Sequence, residues 1–180
     1  MMMASAGDVV GFWKEAGPDK WFKKDVQFDA LFHETFRELH LAAARQDLAS
    51  WLDDAESSLA LTLLLDQFPR NCFRGTAHMY ATDPLARHYA RLMLDKGWDG
   101  QVEEALRIFF YLPFMHSEDL DDQDLCCRLC EALGADLLKH AVEHREIIQR
   151  FGRFPHSNDI LLRTTTPGEQ AFLAAGGFSG

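Results

Sequence analysis

The sequence predicts an all-α chain. Apolar residues recur three and four apart along most of its length, and no stretch alternates apolar and polar residues between turn signals. The first well-marked helix runs from Asp25 to about Arg45, where Phe28, Leu31, Phe32, Phe36 and Leu39 form one apolar stripe that must meet another helix. From about Glu56 to Phe68 the chain is apolar on nearly every side, as in a central helix. Pro69 should end that helix, because a proline disfavours helical backbone in the residue before it. Asp83 and Pro84 read as an N-cap and first-turn proline, Gly97 closes the helix, and Leu85, Tyr89 and Leu92 supply its buried face. A helix from about Val102 to Tyr111 is stopped by Pro113. Ser117 then caps a helix to Gly134 with Glu118 and Asp119 in its first turn. The next helix runs from about Ala135 to Gly152, and Thr166-Pro167-Gly168-Glu169 is a capping box that opens a short last helix. The tail from about residue 175, rich in glycine, is expected to be mobile. Short connections make consecutive helices antiparallel neighbours, so their rhythm predicts a tetratricopeptide-like, right-handed array of helical hairpins, although no internal sequence repeat is visible.

At 180 residues the chain fits one helical domain, and 47% hydrophobic residues suffice for its core. The net charge of −10 repels nucleic acid and anionic membrane surfaces, so neither is an expected partner. The first residues lack a basic stretch and a long apolar run, so no signal peptide is read there, and the apolar run Leu59 to Leu65 falls far short of a membrane span. Cys126, Cys127 and Cys130 crowd together, unlike a secreted disulfide framework, which points to the cytoplasm.

Polar residues that could carry chemistry fall in three places. At the end of the central helix, Asp66 is close enough in sequence to Arg70 and Arg74 for an internal ion pair. His144 shares a helical face with Leu137, Ala141, Ile148 and Phe151, so its imidazole should point inward. Arg153 and His156 follow that helix, and His116 precedes another. The pairing of His116 and Glu118 with Cys127 and Cys130 does not fit a zinc deaminase, since the spacing is short and no proline precedes the cysteines. The acidic run from Glu118 to Asp124 lacks the glycine of a calcium loop and suits a helix start instead. No metal site is assigned, and no cofactor is identified.

Three phrases carry a family resemblance: LLLDQFPRNCFRGTAHMYATDPLAR from Leu63, FFYLPFMHSEDL from Phe109 and HREIIQRFGRFPHSN from His144. Together they resemble the signature of the domain-of-unknown-function family 924, whose members are similar to tetratricopeptide-like helical proteins. The resemblance implies a fold and no established activity. It marks Asp66, Gln67, Arg70, Asn71, Arg74 and Gly75 in one motif, His116, Ser117 and Glu118 in another, and His144, Arg153, Phe154, Pro155, His156 and Asn158 in the third. Ser157 stands where that family usually has arginine, which argues against a multiply charged anion.

The leading expectation is a binding module whose ligand set is Asp66, Gln67, Arg70, Asn71, Arg74, His116, Glu118, His144, Arg153, His156 and Asn158. It would take a carboxylate or phosphate on a small molecule or peptide end. An alternative is a hydrolase or lyase with a histidine base oriented by Asp66 or Glu118, an arginine stabilising negative charge, and possible help from a divalent metal. A third is a purely structural polar core. Oligomeric state is left open.

Overall fold

The computed structural model describes residues 4–179 and divides into two compact units. One comprises the chain up to Arg74 together with His78–Pro113, the other Gly75–Ala77 with Phe114 onward. Every regular element among the described residues is helical. None of the helices among them is long and apolar enough to cross a membrane.

In the first unit, α1 (Ala6–Ala16) begins at a Ser5/Asp8 capping box to which the sequence pattern assigns no helix, and α2 (Pro18–Trp21) follows Gly17. Helix α3 (Val26–Ala44) starts where expected, with the Asp25 carboxylate accepting from the Gln27 and Phe28 N–H groups. Its buried face is Phe28, Phe32, Phe36, Leu39 and His40, whereas Leu31 is 53% exposed. At 3.6 residues per turn, Leu31 lies roughly 100° from the centre of that face, too far round to join it. Phe32 meets Phe68 and Phe12, and Trp13 meets Trp21, Phe32 and Phe109, so aromatic rings dominate this core.

The central helix corrects the expectation that Pro69 ends it. Helix α4 (Ala55–Thr62) widens into a π-helical turn at Leu63–Gln67 and continues as α5 (Phe68–Cys72), with Pro69 in the first turn of the new segment. A proline inside a helix orphans the carbonyl four residues back. Here that carbonyl, on Leu65, accepts the Thr82 hydroxyl at 2.5 Å. The wider turn sends the Phe68 N–H to Leu63, and Leu64 O is taken instead by His40 Nδ1 at 2.8 Å. Side chains from elsewhere in the unit thus replace the bonds that the backbone gives up.

Helix α6 (Asp83–Asp95) also differs from expectation. Asp83 is its first residue, not a backbone cap, and its carboxylate turns to Arg70. The buried face is Ala86, Tyr89, Ala90 and Met93, with Leu92 at the surface. Helix α7 (Glu104–Met115) carries Pro113 inside it, contrary to the expected stop. The proline costs about 3 kcal/mol. Burial of Phe109, Phe110, Leu112 and Phe114 at about 1.5–3 kcal/mol each offsets that loss.

In the second unit, α8 (Leu120–Glu131) packs on α9 (Ala135–Phe151). Asp119, not Ser117, caps α8, accepting from the Asp121 N–H at 2.8 Å. Ser117 donates its hydroxyl to Asp122 instead. The buried Gln123 amide donates to Met115 O and Ser117 O, each at 2.7 Å, closing the turn into α8. Gly152, at φ 71°, ends α9 in the left-handed conformation that its position requires. Helix α10 (Pro167–Ala174) opens on the Thr166/Glu169 capping box read from the sequence. Leu162, at φ 54°, holds the same left-handed conformation while 94% exposed.

Two stability changes follow from these local departures. Thr82→Val leaves Leu65 O unpaired and should lower unfolding free energy by about 1–2 kcal/mol in urea titration. Leu162→Gly should raise it by about 0.5–1 kcal/mol, since glycine removes left-handed strain at a side chain that buries nothing. No change in the urea midpoint would refute either assignment.

Candidate functional site

Buried carboxylates organise the polar residues of both units. In the first, Asp66 projects from the π turn and is fully buried. Its Oδ2 accepts from Gln67 Nε2 at 2.7 Å and its Oδ1 from Arg70 at 3.1 Å. Arg70 sits one turn further on and also grips Asp83 with both terminal nitrogens, at 2.8 and 2.9 Å. Burial opposes the guanidinium charge, but Asp66 and Asp83 outweigh it and raise the pKa of Arg70. Asn71 and Arg74 share a different carboxylate: Asp29 accepts from Asn71 Nδ2 at 2.7 Å and from Arg74 Nε at 3.1 Å. Cys72 lies between them, and its thiol is pushed up to about 12 by burial and by Asp29. The five motif residues of this unit therefore form two adjoining clusters, each closed by an aspartate that sequence spacing does not mark as a partner.

In the second unit the hub is Glu169, the capping-box residue of α10, which is almost wholly buried. Arg153 clamps it through Nε at 2.6 Å and a terminal nitrogen at 2.9 Å. Asn158 Nδ2 and the Thr166 N–H complete its shell at 3.2 and 2.7 Å. The Arg153 bonds and then the Thr166 N–H hold its carboxyl down to about 2. Glu118 accepts from the Phe154 N–H at 2.8 Å and from Arg163 at 2.8 and 3.0 Å. Arg163 also reaches Asn158, Ser157 and Phe154 O, so Ser157 contributes a hydroxyl acceptor to this arginine. Sequence reasoning misses Arg163 because nothing local distinguishes it from a surface arginine. Glu169 is legible there only as a cap.

The histidines are held in defined tautomers by carbonyls. A carbonyl can only accept, so His40 Nδ1 donates to Leu64 O and its Nε2 accepts from His78 Nε2 at 2.9 Å. His144 Nδ1 donates to His140 O at 2.7 Å, which leaves Nε2 with the lone pair. As the helical pattern predicts, His144 is buried. Its ring packs against Phe154 and Phe178, and His156 meets the same two rings. Burial lowers both His40 and His144 to about 4; the carbonyl bonds oppose the shift, while neighbouring histidines reinforce it, His116 among them at His144. The group orienting His144 is a backbone carbonyl, not the carboxylate expected in a hydrolase. Among the described residues no three His, Cys, Asp or Glu side chains are grouped to hold a metal ion.

Beside these groups in the second unit lies an open groove of about 390 Å³, lined by Glu143, Glu146, Ile147 and Arg150 of α9 with Phe151, Phe172 and Phe178. The first four fall at i, i+3, i+4 and i+7, so one face of α9 forms its wall. The Arg150 guanidinium lies 4.7 Å from the Phe151 ring and 5.7 Å from the Phe172 ring. No carboxylate among the described residues pairs with it.

These features define an all-helical protein whose motif arginines are anchored on carboxylates. The chain belongs to the family described as bacterial protein of unknown function (DUF924), whose model matches residues 9–177. A solved structure of a protein of unknown function from Agrobacterium tumefaciens is similar to it at 62% identity. The match covers 95% of this chain and 97% of that one, with a TM-score of 0.93. No curated protein matches the chain.

The two depressed histidines set the acid response. Each binds its proton more weakly folded than unfolded, so stability is complete above pH 6.5 and falls as pH drops toward 4. The loss should reach on the order of 3 kcal/mol per histidine. Below about pH 4.5 the Glu169 clamp adds to the decline, because its carboxyl is depressed and begins to be neutralised preferentially in the unfolded chain. Urea unfolding from pH 7 to 4 checks the slope, and NMR checks the cause: imidazole resonances of His40 or His144 titrating near pH 6.5 would contradict it.

Proposed function

We propose that the protein is a cytoplasmic binding module that captures a carboxylate-bearing small molecule or peptide end, using a tetratricopeptide-like helical scaffold. The observation that carries this reading is Arg150. It is an exposed guanidinium over the Phe151 and Phe172 rings at the edge of a groove, ion-paired with no carboxylate among the described residues, in a protein whose net charge is −10. Cation–π attraction to the two rings keeps the guanidinium at the groove, and its N–H donors suit the two oxygens of a carboxylate. Ile147 and Phe172 offer apolar surface to the body of such a ligand, and a groove of about 390 Å³ suits a small organic acid.

In this reading the arginine-carboxylate clusters of Arg70 and Arg153 are the frame, and His144 and His156 stand behind the groove wall formed by Phe178. The motif set of Asp66, Gln67, Arg70, Asn71, Arg74, His116, Glu118, Arg153 and Asn158 then acts by holding helix ends in place. That assignment incorporates the structural-core alternative for these residues. The hydrolase alternative has less support, since Glu118 is engaged by the Phe154 N–H and Arg163.

Charge reversal separates these readings. Arg150→Glu should lower affinity for 3-phenylpropionate at least ten-fold, the equivalent of about 1.4 kcal/mol, without moving the urea midpoint by more than a few tenths molar. Calorimetric titration measures the first and urea denaturation the second. Unchanged affinity in the charge-reversed variant would remove the groove from consideration.

A further inference from the structure

We infer that Phe178 is a built-in occupant of an aromatic-ring subsite formed by His144, Phe154 and His156, and that the ligand's own aromatic ring displaces it. The placement of the acid group rests on the carboxylate reading above; the ring subsite rests on the packing of Phe178 itself.

The first observation is how the tail reaches this position. Helix α10 ends in a Schellman motif: the Gly176 N–H bonds Leu173 O at 3.1 Å and the Gly177 N–H bonds Phe172 O at 3.0 Å. Gly176 takes φ 80°, and a Cβ on Gly177 would lie 2.6 Å from the Phe172 ring. The left-handed backbone favours glycine at Gly176, and a side chain at Gly177 would push the Phe172 ring aside; the turn folds the next residue back toward α9. In this arrangement the tail brings the Phe178 ring against His144 and His156.

The second observation is what that ring touches. Its centroid lies 4.6 Å from the His144 ring at 61° and 5.1 Å from the His156 ring at 82°. Phe154 meets both imidazoles from within the unit, at 5.7 and 5.6 Å. Three of these contacts are edge-to-face and the Phe154–His156 pair is tilted, geometries that favour a flat ring over an aliphatic group. Yet Phe178 remains 39% exposed and belongs to a short tail, so its hold is weak beside that of a core phenylalanine. Phe178 also lines the Arg150 groove, so moving it joins the ring subsite to the space beside the guanidinium. The ligand class that satisfies both is an aromatic carboxylic acid, or a peptide whose last residue is aromatic.

Competition between an internal ring and a ligand ring has a measurable signature. Where the tail occupies the subsite about ten times in eleven, apparent affinity is about ten-fold below the intrinsic value. Phe178→Ala, and separately a chain shortened after Ala175, should each bind 3-phenylpropionate about ten-fold more tightly than the parent protein, with acetate unaffected. Benzyl alcohol, a ring without the acid, should shift the imidazole resonances of His144 and His156 in both variants and not in the parent. Equal affinity of parent and variants for 3-phenylpropionate, or weaker binding in the variants, overturns the inference. Benzyl alcohol binding to the variants with no carboxylate binding anywhere leaves the ring subsite standing and removes the Arg150 reading. Failure of every probe removes both.

Discussion

A carboxylate withdrawn from water must be met by hydrogen-bond donors or it becomes neutral, and each unit is arranged around one such group. Asp66 is reached by Gln67 and Arg70, and Glu169 by Arg153, Asn158 and the Thr166 N–H. Leaving either buried without its donors would cost several kcal/mol. The donors come from helix ends and loops, so satisfying the charge also fixes where those segments stop. Arg70 thereby ties the π turn to the start of α6 through Asp83. Arg153, just past the end of α9, ties that helix to the start of α10.

The same accounting applies to the backbone. Between Leu63 and Gln67 the helix widens, Pro69 supplies no N–H, and the carbonyls of Leu64 and Leu65 lose their helical partners. His40 and Thr82 replace them. The tautomer of His40 follows from that replacement, and with it the direction of its bond to His78. A single irregular turn therefore accounts for a buried imidazole, a buried hydroxyl and a non-terminating proline.

Features encoded within a few residues are legible in the sequence. The α3 stripe apart from Leu31, the span of α9 with Gly152 behind it, the inward-facing His144 and the Thr166/Glu169 box all depend on local spacing, and the structure contains them. Departures arise where a distant partner overrides a local rule. Pro69 and Pro113 stay inside helices because packing and side-chain donors compensate them. Asp83 abandons a capping role because a two-pronged bond to Arg70 is stronger than one bond to a backbone N–H. For the candidate site, the arginines are visible but their partners are not: Asp29 is 45 residues from Arg74 in sequence, and Glu118 is 45 from Arg163. Arg150 has the opposite character, since its environment comes from Phe172 and Phe178 across a loop and no motif marks it.

An arginine that already satisfies a buried carboxylate is poorly suited to capture another anion, because an incoming ligand must displace an equally good partner without creating a new unpaired charge. Arg70 and Arg153 are in that position. A guanidinium held by cation–π contact is different, because an aromatic ring attracts its charge without satisfying its N–H donors as a carboxylate does. The two kinds of arginine therefore differ in whether a carboxylate already meets the N–H donors. By that criterion Arg70 and Arg153 each belong to the frame of their own unit, whereas Arg150, which no sequence motif marks, is ion-paired with no carboxylate among the described residues.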